Sequence, residues 1–202
     1  MCFDREHVSP TAPWVGLERY DLRMSDRYQI ENNELEDRVV DAAQGILRRQ
    51  YGNGLHKCLQ SVVTSQVGMK PSRGPCVQIH YDADRHHWVT SCLMNGRIQL
   101  ADSKQTAQLS MNIKKQLRQK YPGHDTVHVL SVVQQTNSVD CGVFSIAFAV
   151  GFLDGDPLCQ FDETGIRQHL INCMEAKQFS VFPCSRSPRS GCKRGKDYEE
   201  TL

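Results

Sequence analysis

The sequence lacks several features whose absence narrows what it can be. It contains no Asn-x-Ser/Thr acceptor, and Asp4, Arg5 and Glu6 interrupt its start before an apolar run can form, so neither a secretory leader nor N-glycosylation is expected. The longest uncharged apolar stretch, Gly142 to Leu153, falls well short of the roughly 18 to 20 residues that span a bilayer, so no membrane partner is expected. No charge dominates. With 24 Lys+Arg against 23 Asp+Glu the net charge is +1, which is not the balance of a polycation that coats phosphate, and nucleic acid is not the expected partner. The 9 cysteines are odd in number and lack the paired short spacings that hold zinc or frame a disulfide knot, so most are expected to be reduced, small hydrophobes. Cys76 with His80, or Cys184 with Cys192, comes nearest to a ligand pair, and neither has a second half; no metal is expected. With these absences an intracellular address, nucleus or cytoplasm, is expected.

What is present is enough for one domain. A chain of 202 residues, 39% of them hydrophobic, can bury a core and leave ragged ends. Residues 1–30 carry Pro10, Pro13 and mixed charges without a sustained period and are expected to form a loose N-terminal arm. The folded domain is expected over residues 31–183. It opens with a helix over about 34–50, whose face is Leu35, Val39, Ala42, Ala43, Ile46 and Leu47. Asn33 and Glu36 are placed like a capping box, and Gly52-Asn53-Gly54 is the stop. A helical or mixed segment follows over 55–67, then a loop over 68–75.

Val77, Ile79 and Tyr81 alternate with Gln78, His80 and Asp82, the period of a strand with one buried face. Further strands are expected over 87–94, 97–102 and 127–133. Ser103 is the expected cap of a helix with an inner stripe of Leu109, Ile113, Leu117 and Tyr121. The segment from Cys141 to Phe152 is apolar nearly all round and reads as a buried central helix. A last amphipathic helix is expected over about 163–176. Residues 184–202 read as a basic, disordered tail, and its stretch 185–196 is where a nucleic-acid or nuclear-targeting role would reside.

The turn between the second and third strands carries geometric information. Asn95-Gly96 suits a two-residue type I′ turn, which pairs Met94 with Arg97 and makes every cross-strand pair sum to 191. Val89 then faces Asp102. His87 lies on the same face as Val89, a diagonal neighbour of Asp102 at about 7–8 Å, while His86 points the other way. The register therefore selects His87 as the imidazole that a carboxylate could orient; taken alone, the pair reads first as a surface ion pair on a hairpin.

Cys141 opens the central helix after the turn-like Asn137-Ser138-Val139-Asp140. There the unpaired N–H groups and the positive end of the dipole favour a thiolate. A thiolate with a neighbouring base and an oxyanion hole is an acyl-transfer catalyst. His87 is the candidate base, and the Gln135 amide is a candidate oxyanion donor beside the Cys141 backbone N–H. Cys141 by itself also reads as a buried, inert thiol.

Three blocks, Arg85-His86-His87-Trp88-Val89, Leu100-Ala101-Asp102-Ser103 and Gln135 through Phe144, resemble the active-site blocks of the ubiquitin-like-protein proteases, the SUMO-protease (sentrin-specific) family. The order His, Asp, Gln, Cys matches that family, is similar to that of the adenoviral protease, and is the reverse of papain's. The likeness runs from residue 34 to about 183. It implies a papain-like α+β fold, with the cysteine helix packed against a small mixed sheet that carries the histidine and aspartate. It also implies His87 as general base, Asp102 as its orienter, Cys141 as nucleophile and Gln135 as oxyanion donor. Trp88 matches the family as a substrate-binding residue, and Glu34 stands where a tryptophan normally closes over the substrate's Gly-Gly tail. The implied partner is a ubiquitin-like modifier or its conjugate, cleaved after that tail, with no cofactor. The compact segment before His87 resembles the trimmed domains carried by transposon-derived genes. Two other classes stay open on the residues alone: a non-catalytic binding module that keeps the fold, and an acyltransferase that uses the same residues.

Overall fold

A computed structural model describes residues 8–17, 19–52, 59–61, 68–154, 156–185 and 193–202. Its centre is a five-stranded sheet in the order β3-β4-β5-β6-β7: β3 (Cys76–Asp82), β4 (His87–Met94), β5 (Arg97–Ala101), β6 (Thr126–Val129) and β7 (Tyr198–Thr201). All neighbours are antiparallel except β5 and β6, which run parallel, so the sheet is mixed and the fold is α+β. Before the sheet come a hairpin of β1 (Pro13–Leu17) and β2 (Tyr20–Arg23), then α1 (Met24–Asn32) and α2 (Asp37–Tyr51). Helix α3 (Met111–Lys120) crosses from β5 to β6, and α4 (Cys141–Asp154) and α5 (Ile166–Ala176) lie between β6 and β7 in the chain.

The β4–β5 hairpin has the expected register. Met94 pairs with Arg97 and Thr90 with Ala101, and both turn residues have positive φ, Asn95 at 51° and Gly96 at 73°, as a type I′ turn demands. Helix α4 is buried along Cys141–Phe152 and packs on β3 and β4. A helix apolar on all sides is stable only when it is enclosed. Gly142 answers to this enclosure, because a Cβ there would lie 2.8 Å from the Leu35 Cβ. The loop before α2 thus presses directly on the first turn of α4.

Helix α3 covers the opposite face of the sheet, which changes the reading of β3. Its alternate residues were expected to face solvent, yet Gln78, His80 and Asp82 are all fully buried. Enclosed polar groups require partners. The His80 ring bonds Gln116 of α3 through Nδ1 (3.1 Å) and Ser91 through Nε2 (2.7 Å), and Ser91 in turn bonds the Tyr121 hydroxyl (2.7 Å). Burial, with a smaller push from Lys120, outweighs the Gln116 bond and lowers the His80 pKa to about 3, so this imidazole is neutral.

Several other expectations are corrected. Residues 13–32 of the supposed arm form the β1–β2 hairpin and α1, anchored by buried Val15, Leu22 and Ile30. The strands are too short for a visible period, and α1 buries only Asp26 and Ile30, one turn apart. Asp26 is spent on its own helix start, accepting from the Arg23 N–H at 2.6 Å. The first long helix begins at Asp37 rather than 34, with Glu36 at its cap and no capping box, because residues 33–36 form the loop that reaches α4. The cap of α3 is Ser110, which accepts from the Ile113 N–H at 3.1 Å; Ser103 is buried elsewhere. β6 stops at Val129, and Val133 makes only a single bridge, with Arg194.

The tail is also structured where it is described. β7 adds to the edge of β6, Glu200 pairs with Lys114 at 2.5 Å, and Arg194 donates to the Ser131 and Leu158 carbonyls. Strand addition uses backbone hydrogen bonds that composition does not reveal. Residues 186–192, and most of the expected 55–67 segment, lie outside the described residues. Cys159 and Cys184 form a disulfide, against the expectation of reduced single cysteines. The Phe161–Cys184 bridge brings them together although 25 positions separate them, a distance at which spacing carries no signal. Cys76, Cys92, Cys141 and Cys173 are buried. Among the described residues no three His, Cys, Asp or Glu side chains converge on a metal site, and no helix is long and apolar enough to cross a membrane.

Because β7 completes the sheet, deleting Asp197–Leu202 is expected to lower stability by about 1–3 kcal/mol, read as a lower urea midpoint. An unchanged midpoint would return this segment to the status of a solvated tail.

Candidate active site

His87 is the first residue of β4 and follows a four-residue turn, 83–86, closed by the Arg85 N–H on the Asp82 carbonyl at 3.2 Å. His86 ends that turn at φ 49°, a left-handed conformation uncommon outside glycine, and its ring bonds the Tyr81 hydroxyl at 3.0 Å. The two adjacent imidazoles therefore part: His86 turns to the exposed side, and His87 enters the protein. Its Nε2 lies 2.6 Å from Oδ1 of Asp102, the residue after β5, and both side chains are buried. Strand twist closes the diagonal that the hairpin register allows.

The Cys141 sulfur lies on the other side of the same imidazole, near enough to act on its charge. Since Nε2 is taken by Asp102, Nδ1 is the nitrogen left for the sulfur. Burial disfavours the charged ring, but the Asp102 hydrogen bond and the pull of Asp102 and of the nearby Cys141 sulfur outweigh it, and the His87 pKa rises to about 9. Asp102 moves the opposite way. Burial would raise its pKa, yet the His87 bond and charge, Arg85 and the Lys104 N–H hold the carboxyl below its usual range.

Cys141 owes its place to the turn before it. The Asn137 side chain accepts from the Val139 and Asp140 N–H groups at 2.9 and 3.0 Å, and the Asp140 carbonyl takes the first helical bond, from Phe144 at 2.9 Å. The Asp140 carboxylate is held by Arg167 of α5, Nε at 2.6 Å, and that guanidinium also donates to the Asn33 carbonyl at 2.9 Å. One arginine thus joins the last helix, the loop before α2 and the residue next to the cysteine. The first N–H groups of α4 have no partner within their own helix.

Gln135 is fixed from the Asp102 side. Its backbone N–H donates to the Ser103 carbonyl at 2.7 Å, and its side-chain oxygen accepts from the Ser103 hydroxyl at 2.6 Å. Its amide nitrogen donates to the Asn137 carbonyl at 2.7 Å, which leaves one of two N–H groups uncommitted.

Trp88 is 2% exposed, stacks at a tilt on Tyr81 and donates its indole N–H to the Leu35 carbonyl at 3.1 Å, so it secures the 33–36 loop from beneath. Glu34 lies on that loop, exposed. A groove of about 550 Å³ runs beside it, lined by Glu34, Glu36, Asp37, Tyr81, His86 and Trp88. Its acidity is felt by Tyr81, whose pKa is raised first by burial and then by Asp37, Glu34 and Cys141. Sequence reasoning missed Arg85, which reaches Asp102 from the turn; a lone basic residue two positions before a histidine carries no periodic signal.

No family model and no curated protein matches the sequence. Solved structures do match the fold. The C-terminal Ulp1 protease domain, in complex with Smt3, the yeast orthologue of SUMO, is similar over 85% of this chain and 90% of its own, at TM-score 0.61 and 11% identity. The Chaetomium thermophilum Ulp1-like SUMO protease catalytic domain is similar over 86% of each chain, at TM-score 0.54 and 16% identity. A de-sumoylating protease is similar over 79% of this chain and 87% of its own, at TM-score 0.51 and 16% identity. This chain has the fold of the ubiquitin-like-protein proteases.

Proposed function

We propose that the chain is a cysteine peptidase that cleaves an acyl bond at the C-terminal end of a SUMO-like modifier, in a precursor or a conjugate. The observation that carries this reading is the His87 ring, hydrogen-bonded to a buried carboxylate and set beside the thiol at the start of a helix. The shared fold with Ulp1-type proteases supports the substrate class. The groove of Glu34, Tyr81 and Trp88 is the path for the substrate's extended end.

In this mechanism His87 takes the proton of Cys141, and the sulfur attacks the scissile carbonyl. The oxyanion of the tetrahedral intermediate is held by the free N–H of the Gln135 amide and the backbone N–H of Cys141, both positioned before reaction. The C–N bond breaks as the imidazolium gives its proton to the leaving amine. Water then attacks the thioester with His87 as base, releasing the acid and the thiol. Asp102 keeps the ring oriented and favours its charged form.

Cys141→Ala should abolish release of a fluorescent amine from a modifier-derived substrate while the melting curve stays cooperative; residual turnover would assign the nucleophile to another cysteine. Of the two histidines, His87→Ala should be as damaging as the cysteine change and His86→Ala far milder, and the reverse order would overturn the orientation of the turn. Gln135→Ala should lower kcat on the order of 10²-fold with little change in KM, as loss of an oxyanion donor does.

The raised His87 pKa fixes the alkaline behaviour. The proton is retained through neutrality and lost as pH rises through about 9, so amine release should decline there, and the stability tied to the charged ring should fade over about pH 6.5 to 9. A rate that keeps climbing well above that range would show that His87 is not the proton donor.

A further inference from the structure

We infer that Arg85 is a positioning residue of this site, which holds Asp102 ionised and turned toward His87 by occupying the carboxylate oxygen that the imidazole does not use. The inference rests on the peptidase reading above and assigns a role to a residue outside its three-residue core.

The geometry divides the two oxygens of Asp102 cleanly. Oδ1 accepts from His87 Nε2 at 2.6 Å and from the Lys104 N–H at 2.7 Å. Oδ2 accepts from Arg85 Nη1 at 3.0 Å. The other arm of the guanidinium donates to the Lys104 carbonyl, so the arginine grips the carboxylate and the backbone beside it together. A planar fork with donors on two nitrogens can do this, and a lysine ammonium cannot reproduce it.

A second carboxylate holds the arginine in place. Asp82 is fully buried; its Oδ1 accepts from the Ser110 hydroxyl at 2.8 Å and the Asp84 N–H at 3.2 Å. Its Oδ2 has no hydrogen-bond partner among the described residues and lies 3.9 Å from Arg85 Nη1. Arg85 thus sits between two buried carboxylates, one that steadies it and one that it steadies. The turn makes this possible, because Asp82 and His87 face each other at its base and Arg85 lies inside it.

Without the guanidinium, Oδ2 of Asp102 would be buried and unpaired. The carboxyl would then gain from protonation or from rotating away from His87. Either change weakens the imidazolium and, through it, the thiolate. The charged and titratable groups around Asp102 are Arg85 from the turn, Asp82 of β3 across that guanidinium, His87 from β4, Cys141 beyond it on α4, and Tyr198 of β7, whose hydroxyl feels both Asp102 and Arg85.

The test uses the full chain and iodoacetamide, with alkylation read at Cys141 by peptide mass spectrometry from about pH 4 to about 10. Four variants are compared with the natural chain: Arg85→Gln, Arg85→Lys, Asp102→Asn, and Arg85→Gln with Asp102→Asn. The expected result is that Arg85→Gln slows alkylation near neutral pH by about 10-fold and moves the acid limb upward, in the direction that Asp102→Asn moves it. In the Asp102→Asn background, adding Arg85→Gln should change the rate less than about 2-fold, because its effect passes through the carboxylate. Arg85→Lys should fall between, and it carries the test if Arg85→Gln does not melt cooperatively. Equal slowing in both backgrounds, or an acid limb that Arg85 substitution leaves in place, would overturn the positioning role while the peptidase reading stands. An acid limb that Asp102→Asn itself leaves unmoved would overturn both.

Discussion

The site depends on the enclosure of helix α4. Its residues from Cys141 to Phe152 are buried on every side, and such a helix has no stable exposed position in water. Once it is packed across β3 and β4, its N-terminus is fixed at the end of β4 where His87 enters. The contact is close enough that residue 142 must be glycine, since the Leu35 side chain occupies the space of a Cβ. The same Leu35 offers its carbonyl to Trp88, so the residue after the histidine and the residue after the cysteine both hold one loop. The hydrogen bond from Thr90 to the Ser145 carbonyl, 2.7 Å long, adds a polar tie between strand and helix. The placement of Cys141 beside His87 is thus a consequence of hydrophobic burial.

Covering the second face of the sheet has a different consequence. With α3 on that side, the polar residues of β3 have no access to water, and each must be bonded within the protein. Gln78, His80 and Asp82 are three solutions along one strand: an amide that bridges to α2 through Gln44 (3.2 Å), a neutral imidazole in a hydroxyl chain, and a carboxylate beside an arginine. The last of these borders Asp102. Electrostatics of the site are therefore continuous with the polar interior of the sheet, and the turn 83–86 is the place where the two meet.

Much of the site's local geometry is legible in the sequence. The Asn95-Gly96 turn is local, and a two-residue turn determines register for the whole hairpin, so the choice of His87 over His86 and its diagonal relation to Asp102 followed from counting. The helix from Cys141 was legible because its apolar run is long and uninterrupted. The β1–β2 hairpin, α1 and β7 were not legible. Each is short, buries at most two side chains, and owes its order to backbone pairing or to docking on a surface that other segments build. The pairing of Cys159 with Cys184 and the reach of Arg85 and Arg167 were hidden for the same reason, since partners far apart in sequence leave no periodic trace.

By itself, then, the sequence determined the local elements with strong periods, the hairpin register, and the identity of a histidine, an aspartate and a cysteine with complementary chemistry. It did so because turn geometry and hydrophobic period act over a few residues. Only the tertiary structure decided which nitrogen of His87 meets Asp102, which oxygen of Asp102 is left for Arg85, how the 33–36 loop borders the cysteine, and that both faces of β3 are closed to water. Those outcomes depend on how separate segments pack, and packing is settled by the summed burial of the whole chain.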